Sequence, residues 1–377
     1  MKIAIAGGSI AGLACALTLS CTGHEVHVFE RSATPLRGRG GGVAVLRQML
    51  RFLEQHGHQT RATLAVPTHR RRWIDIAGNV MHEDPELLPF SSWDAVYRSL
   101  CSMLPSAVIQ YGRNVTTVAQ DAHGIEIQFE NGPPIRSDIL IAADGTGSRL
   151  RSLLFPGTTS SYAGYIAWRG LVSESAFAPA EIADLIENIT LFRSADELFM
   201  AFLIPSANGS LDAGQRRFNW LWYRNEADLA KVESFLTDRD GQRHHASIAA
   251  GALSEHSLAH LRKIAPERLP RILSKLLTST ESPFLQVIYD ALSPSFASGR
   301  IALVGDAACT LRPHTASGTS KAADDAVSLA QALNASQTAE SDTVRVLADW
   351  AEVRRRAVEP LLLKGPMLAK SFGLGYS

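Results

Sequence analysis

Within its first thirty residues the chain runs from Lys2-Ile3-Ala4-Ile5-Ala6 through Gly7-Gly8-Ser9-Ile10-Ala11-Gly12 into Leu13 to Thr22, then Val26 to Phe29 and an acid, Glu30. That order predicts strand, glycine turn, helix, strand and terminal carboxylate, the βαβ unit that cradles an adenine dinucleotide. Gly7 allows the tight turn, Gly12 lets helix and strand approach closely, and the helix N-terminus offers N–H groups and a positive dipole end to a diphosphate. Ser9 stands in place of the middle glycine, with a hydroxyl able to donate to a phosphate oxygen. Glu30 can accept hydrogen bonds from ribose hydroxyls. A secretory leader is the competing reading, with Leu19-Ser20-Cys21 resembling a lipoprotein cleavage site. The break at Gly7-Gly8-Ser9, the scant basic flank and the alternating strand beyond it count against that reading.

A chain of 377 residues is long enough for about two domains. Lys+Arg and Asp+Glu both number 37, so no net field favours nucleic acid or an anionic membrane as partner. Cys15, Cys21, Cys101 and Cys309 lack metal-ligand spacing and read as reduced thiols of a cytoplasmic protein without a metal site. No apolar run reaches the ~20 residues that span a bilayer.

Further along, Pro35 to Val43 is too glycine-rich for an element interior and must turn sharply or lie close against something. Leu46 to Gln55 reads as a helix, Trp73 to Asn79 as part of a hairpin, and Ser92 as the N-cap of a helix from Asp94 to Leu104. Val108 to Tyr111, Val115 to Ala119, Ile125 to Phe129 and Ile139 to Ala142 read as strands, the last followed by Asp144-Gly145. A carboxylate at that strand end can reach a ribose or a bound water. From Pro156 the texture changes. Tyr165 to Val172, Ile189 to Arg193, Leu198 to Ile204 and Phe218 to Tyr223 read as one antiparallel sheet with helical insertions at 180–188 and 228–236. Trp168, Phe199, Phe202, Trp220, Trp222 and Tyr223 are candidates for an apolar pocket wall, and His244-His245 reads as a solvated loop. Ile301 to Val304 is then a buried strand ending in Gly305-Asp306, followed by the loop Leu311 to His314 and helices from Gly318 to Asn334 and Asp342 to Leu363. Asp306 is offered to a ribityl hydroxyl and the N–H groups near Gly318-Thr319-Ser320 to an anionic ring edge.

With these three signals in order, the chain resembles the FAD-dependent aromatic hydroxylases of the para-hydroxybenzoate hydroxylase class. The glycine fingerprint with Glu30, then Asp144-Gly145, then Gly305-Asp306 through Pro313 to Gly318 and Asp325-Ala326, match the three FAD motifs of that class. Gly7-Gly8-Ser9-Ile10, Tyr162 to Gly170 and Arg312-Pro313-His314-Thr315-Ala316 look like the 2,6-dihydroxypyridine 3-monooxygenase branch. The chain departs from the common pattern at Cys309, where the family has histidine, at Ala316, where it has the first glycine of a Gly-x-Gly, and at Tyr97, where many members carry arginine.

The resemblance implies an α/β fold: a split Rossmann-like FAD-binding domain (residues 1–70, 94–155 and 291–377) with an inserted substrate domain built on an antiparallel sheet (71–93 and 156–290). It implies cofactor contacts at Gly7, Gly8, Ser9, Ile10, Ala11, Gly12, Glu30, Arg31, Gly42, Val43, Tyr97, Val115, Asp144, Gly305, Asp306, Pro313, Gly318, Thr319 and Ser320. NADH or NADPH would dock transiently and reduce the flavin, and a flavin hydroperoxide formed with dioxygen would hydroxylate an electron-rich phenol or hydroxypyridine. His314 is the candidate base for a ring hydroxyl, with a pKa expected near working pH, and Tyr223 and Arg169 are candidates to hold substrate oxygens. Arg37, Arg39 and Arg47 are candidate contacts for the nicotinamide phosphates. An FAD-dependent reductase or dehydrogenase on the same fold, and a non-catalytic flavin-binding sensor, remain open, as does a homodimer.

Overall fold

The computed structural model describes residues 1–57, 60–337 and 342–375. Lys2–Ala6, Ile10–Cys21 and Glu25–Glu30 form the expected strand, helix and strand, and the two strands pair in parallel with Ile3 beside Val26 and Ile5 beside Val28. Around them the first sheet runs Ala297–Ser298, Ile301–Leu303, Ile139–Ala142, Lys2–Ala6, Glu25–Glu30, Ile109–Tyr111. Every join is parallel except that of the edge strand Ala297–Ser298. Its inner strands read as continuous apolar runs because both faces are covered; each residue of Ile139–Ala142 is fully buried. The helix Gly318–Gln337 packs on Ile10–Cys21, and the final helix Thr343–Ser371 packs on Gly318–Gln337. An antiparallel meander, Val115–Gln120, Ile125–Phe129 and Ile135–Ser137, forms a separate small sheet.

Helix starts follow local chemistry. Ser92 accepts from the Ala95 N–H at 3.0 Å to open Trp93–Ser102, and Ser148 accepts from the Arg151 N–H at 2.9 Å to open Arg149–Leu154.

A larger sheet runs Ser247–Ile248, Phe284–Leu292, Ser161–Ser173, Arg217–Asn225, Glu197–Ile204, Asn188–Arg193, Arg70–Ile74, Val80–Pro85, with Cys309–Thr310 added beside Phe284–Leu292. It is antiparallel apart from one join, where Asn188–Arg193 runs parallel to Arg70–Ile74. Phe284–Leu292 and the helices Glu255–Arg268 and Arg271–Thr278 are absent from the sequence expectations. The expected helix at 180–188 shrinks to Pro179–Ile182, and the final helix runs on past Leu363 to Ser371 through Pro360 and Pro366. His244 is not free in its loop: its Nε2 pairs with Asp238 at 2.6 Å, and His245 stacks on Tyr289.

The period of two decides what each face of the large sheet does. Trp168, Trp220, Trp222 and Phe199 point to one face, where they are fully buried with Leu261, Leu273, Leu276 and Leu277 of the two covering helices. Tyr165, Ala167, Phe202, Leu221 and Tyr223 occupy the opposite face, against Ala44, Phe90 and Leu374. The expected wall of six aromatics is therefore split. Only Phe202 and Tyr223 lie on the face turned toward the glycine-rich loop, and the tryptophans are core.

Candidate functional site

Three distant segments meet at the C-terminal ends of the parallel strands. Gly7 adopts φ 110°, and a Cβ there would lie 2.3 Å from the carbonyl oxygen of Ala143, immediately before Asp144. A Cβ on Gly12 would lie 1.9 Å from the Gly7 carbonyl oxygen, so only glycine permits this helix to start so close to its strand. Gly305, at φ 56°, would collide with the side chain of Ala11 at 2.6 Å if it bore a Cβ. The first and second motifs therefore touch through backbone, and the third meets the first at the Ala11 methyl.

Side chains brace the junction. The buried Arg151 donates to the carbonyls of Asp306 at 3.2 Å, Ala307 at 2.9 Å and Thr146 at 2.6 Å. Asp325, fully buried, accepts from the Gly305 N–H at 2.9 Å, Lys321 Nζ at 2.8 Å and Arg354 Nη2 at 2.7 Å, while Lys321 also reaches the Gly305 carbonyl at 2.8 Å. These braces went unread in the sequence. The i,i+4 spacing of Lys321 and Asp325 inside an apolar helix was the available signal.

A cavity of about 230 Å³ opens beside the junction, lined by Gly7, Ser9, Glu30, Arg31, Val115 and Asp144, and also by Leu36, Arg39, Arg113, Asn114, Gly145 and Arg149. Ser9 is the N-cap of Ile10–Cys21 but makes no side-chain cap, and the first turn, with Ile10 and Ala11, holds no acid. The helix end is thus open to an anion. Glu30 is 5% exposed; its Oε2 accepts from the Gly8 N–H and its Oε1 from the Ser32 N–H, both at 2.8 Å. Gly8 is tied to this carboxylate, since an added Cβ would stand 3.0 Å from that of Glu30. Asp144 accepts from Ser148 Oγ at 2.6 Å and the Leu150 N–H at 3.1 Å, so it caps Arg149–Leu154 while lining the cavity. An uncapped helix end, flanking guanidinium groups and carboxylates for ribose hydroxyls fit a dinucleotide. Arg39, expected near a nicotinamide phosphate, lies in this same cavity.

Asp306 is solvent-accessible although surrounded deeply by protein; that surrounding holds its carboxyl above the ordinary range, with Lys321 opposing. Pro313 opens the turn Pro313–Thr315, and Gly318, Thr319 and Ser320 open Gly318–Gln337. The Ser320 hydroxyl is buried without a partner. Cys309 is fully buried, and burial pushes its thiol up to about 12.

Tyr97 is fixed by protein partners. It is 1% exposed, accepts from the Leu36 N–H at 3.1 Å, pairs with Tyr111 at 3.3 Å and stacks on Trp93. It is not among the cavity lining and acts on it through Leu36. Its neighbour Arg98 pairs with Asp94 at 2.8 Å.

The glycine-rich loop crosses the second face of the large sheet. Val43 pairs with Ser91 in a short antiparallel strand. The Gly42 N–H donates to Asn219 Oδ1 at 2.6 Å, and its carbonyl accepts from Arg169 Nη2 at 3.3 Å. Arg169 also donates to Gln286 at 3.0 Å and has no carboxylate partner among the described residues; burial lowers its pKa. Tyr223 is 3% exposed, and burial pushes its hydroxyl up to about 12 despite Arg169 nearby. His314 packs on Tyr223 with ring centres 4.7 Å apart, and its Nε2 pairs with the Tyr165 hydroxyl at 2.9 Å. Burial and Arg312 pull His314 down to about 3, so the expected pKa near working pH is not found. Asn219, the one non-aromatic polar side chain in the run Phe218 to Tyr223, is a site residue that the sequence flagged by that contrast and that was missed.

Together, the dinucleotide junction and a facing sheet with an uncompensated cation define a flavoprotein that works on a small molecule. Known proteins agree with this. A family profile described as FAD binding domain-like matches residues 162–290. The chain is 32% identical to 2,6-dihydroxypyridine 3-monooxygenase of Paenarthrobacter nicotinovorans over 336 residues, 88% of this chain and 82% of that one. It is 25% identical to salicylate hydroxylase of Pseudomonas putida over 379 residues, 94% of this chain and 82% of that one. Among solved structures, 2,6-dihydroxypyridine-3-hydroxylase from Arthrobacter nicotinovorans superposes with a TM-score of 0.91 at 29% identity, covering 99% and 92% of the two chains. HpxO of Klebsiella pneumoniae, solved with FAD and uric acid, shares the fold at a TM-score of 0.78 and 22% identity, with coverage of 99% and 89%. The chain belongs to the FAD-dependent aromatic hydroxylases, and it is a flavin-dependent aromatic monooxygenase.

Proposed function

We propose that this enzyme hydroxylates a hydroxypyridine- or phenol-like ring bound as its oxyanion, with NADH as reductant. The reading is carried by Arg169, a partly buried guanidinium with no carboxylate partner among the described residues, on the same sheet face as Tyr223 and beside the glycine-rich loop. A cation so placed favours the ionised form of a ring hydroxyl, and an ionised ring is the better nucleophile. FAD, when bound, would supply the activation of dioxygen, from which one oxygen atom passes to the ring and the other leaves as water with the electrons of NADH. The open N-terminus of Ile10–Cys21 with Ser9 would hold the diphosphate, Glu30 and Asp306 the sugar hydroxyls, and Gly42, Gly318 and Thr319 the flavin edge.

No near-neutral base is needed on this account. Tyr223 stays protonated and can donate to a substrate oxygen, and the neutral His314, held by the Tyr165 hydroxyl, packs against the Tyr223 ring and excludes water. The similarity to a 2,6-dihydroxypyridine 3-monooxygenase supports a dihydroxypyridine as the first compound to try. The test is a turnover screen of the holoenzyme with NADH, and NADPH in parallel, against hydroxypyridines, phenols and purine-like rings in labelled dioxygen. A ring product carrying one labelled oxygen is expected. Oxidised product without label for every compound would replace the reading with a dehydrogenase.

A further inference from the structure

Gly42 is gripped at its N–H and at its carbonyl by the large sheet, through Asn219 on one side and Arg169 on the other. The packing is close: a Cβ on Gly41 would lie 2.9 Å from Arg169 Nη2 and 2.9 Å from Asn219 Oδ1, so guanidinium and amide converge on one small volume. Asn219 is fully buried, and because its Oδ1 takes the Gly42 N–H, its unpartnered Nδ2 points elsewhere. A carboxylate at this position would accept the same N–H bond equally well. It would also place a negative charge within a few ångströms of Arg169, in surroundings that screen it poorly. The partners Arg169 does have, Gln286 Oε1 and the Gly42 carbonyl, are neutral as well.

We infer that Asn219 sets the charge preference of the site: it secures the glycine loop through a neutral oxygen, leaves the Arg169 cation uncompensated, and so selects aromatic anions over neutral rings of the same shape. This deepens the hydroxylase reading and rests on Arg169 facing the substrate. Salicylate and salicylamide, nearly isosteric and differing in charge, are the probes. Each is titrated into the holoenzyme without reductant, and the shift of the visible flavin band gives a Kd that requires no turnover. The wild type is expected to bind salicylate at least tenfold more tightly than salicylamide. Asn219→Asp is expected to keep the unliganded flavin spectrum, because Gly42 retains its acceptor, and to weaken salicylate at least tenfold while leaving salicylamide within threefold. Gln286→Glu offers Arg169 a carboxylate from the other side without touching Gly42, and is expected to do the same even if Asn219→Asp fails to retain flavin. Unchanged salicylate binding in Gln286→Glu, equal weakening of both probes in Asn219→Asp, or a wild type without preference for the anion would each overturn the inference. Failure of the hydroxylase reading is a different result, namely no labelled product in the turnover screen with the preference for the anion intact.

Discussion

His314 and Ala316 stand two residues apart in the loop before Gly318, and each is held against its ordinary preference. The imidazole, pulled from 6.5 to about 3, refuses a proton that the unfolded chain accepts. Its folded pKa is the lower one, so the native state has its full stability above pH 6.5 and loses it as the pH falls toward 3. Replacing His314 by Asn removes that linkage, and urea midpoints measured across this window should fall less steeply in His314→Asn than in the wild type. Ala316 sits at φ 54°, a left-handed conformation that costs a Cβ-bearing residue roughly 1–2 kcal/mol. Glycine relieves it while adding freedom to the unfolded chain. Ala316→Gly should therefore gain only about 0.5 kcal/mol in denaturant unfolding, and a loss of stability would show that the alanine methyl contributes packing beyond this balance.

Among elements, Gly305 and its turn depend on the helix behind them. Lys321 and Asp325 of Gly318–Gln337 and Arg354 of Thr343–Ser371 form one buried network on the Gly305 peptide. Removing one partner of such a network leaves charge uncompensated and typically costs about 3–5 kcal/mol. Arg354 still reaches Asp325 in Lys321→Met, so about 3 kcal/mol is expected by urea unfolding, together with weaker FAD uptake by the apoprotein. Elements of this kind were legible where pattern and position agreed. The βαβ unit, the cap at Ser92 and the strand before Gly305 all follow from local periodicity and turn chemistry. The large sheet was legible as strands but not as faces. Its aromatic residues occur at both odd and even positions, and only the register against Arg217–Asn225 and the two covering helices shows which ones are core. Phe284–Leu292 was missed because its burial alternates poorly, and the bond from the Leu36 N–H to Tyr97 could not be read because a buried hydroxyl with backbone partners looks, in sequence, like any tyrosine.

Across the whole molecule, the end of the last helix returns to the large sheet. Arg193 donates to the Ser371 carbonyl at 2.7 Å, and Asn225 donates to the Gly373 carbonyl at 2.9 Å and accepts from the Gly375 N–H at 2.8 Å. Phe372 meanwhile packs on His314 and Trp73. Asn225→Ala removes two of these bonds at a half-exposed site, so a global cost of about 1 kcal/mol is expected. Faster proteolytic release of the C-terminal segment should accompany it; unchanged cleavage would mean that Phe372 and Leu374 hold the segment alone. The contact between Gly305 and Ala11 has a consequence in time. A ribosome adding roughly 5–20 residues per second exposes the first glycine turn many seconds before its counterpart exists. The nascent chain therefore carries half a nucleotide berth with nothing to close it until Gly305 has emerged, so capture of the prosthetic group waits on the third motif rather than on the first.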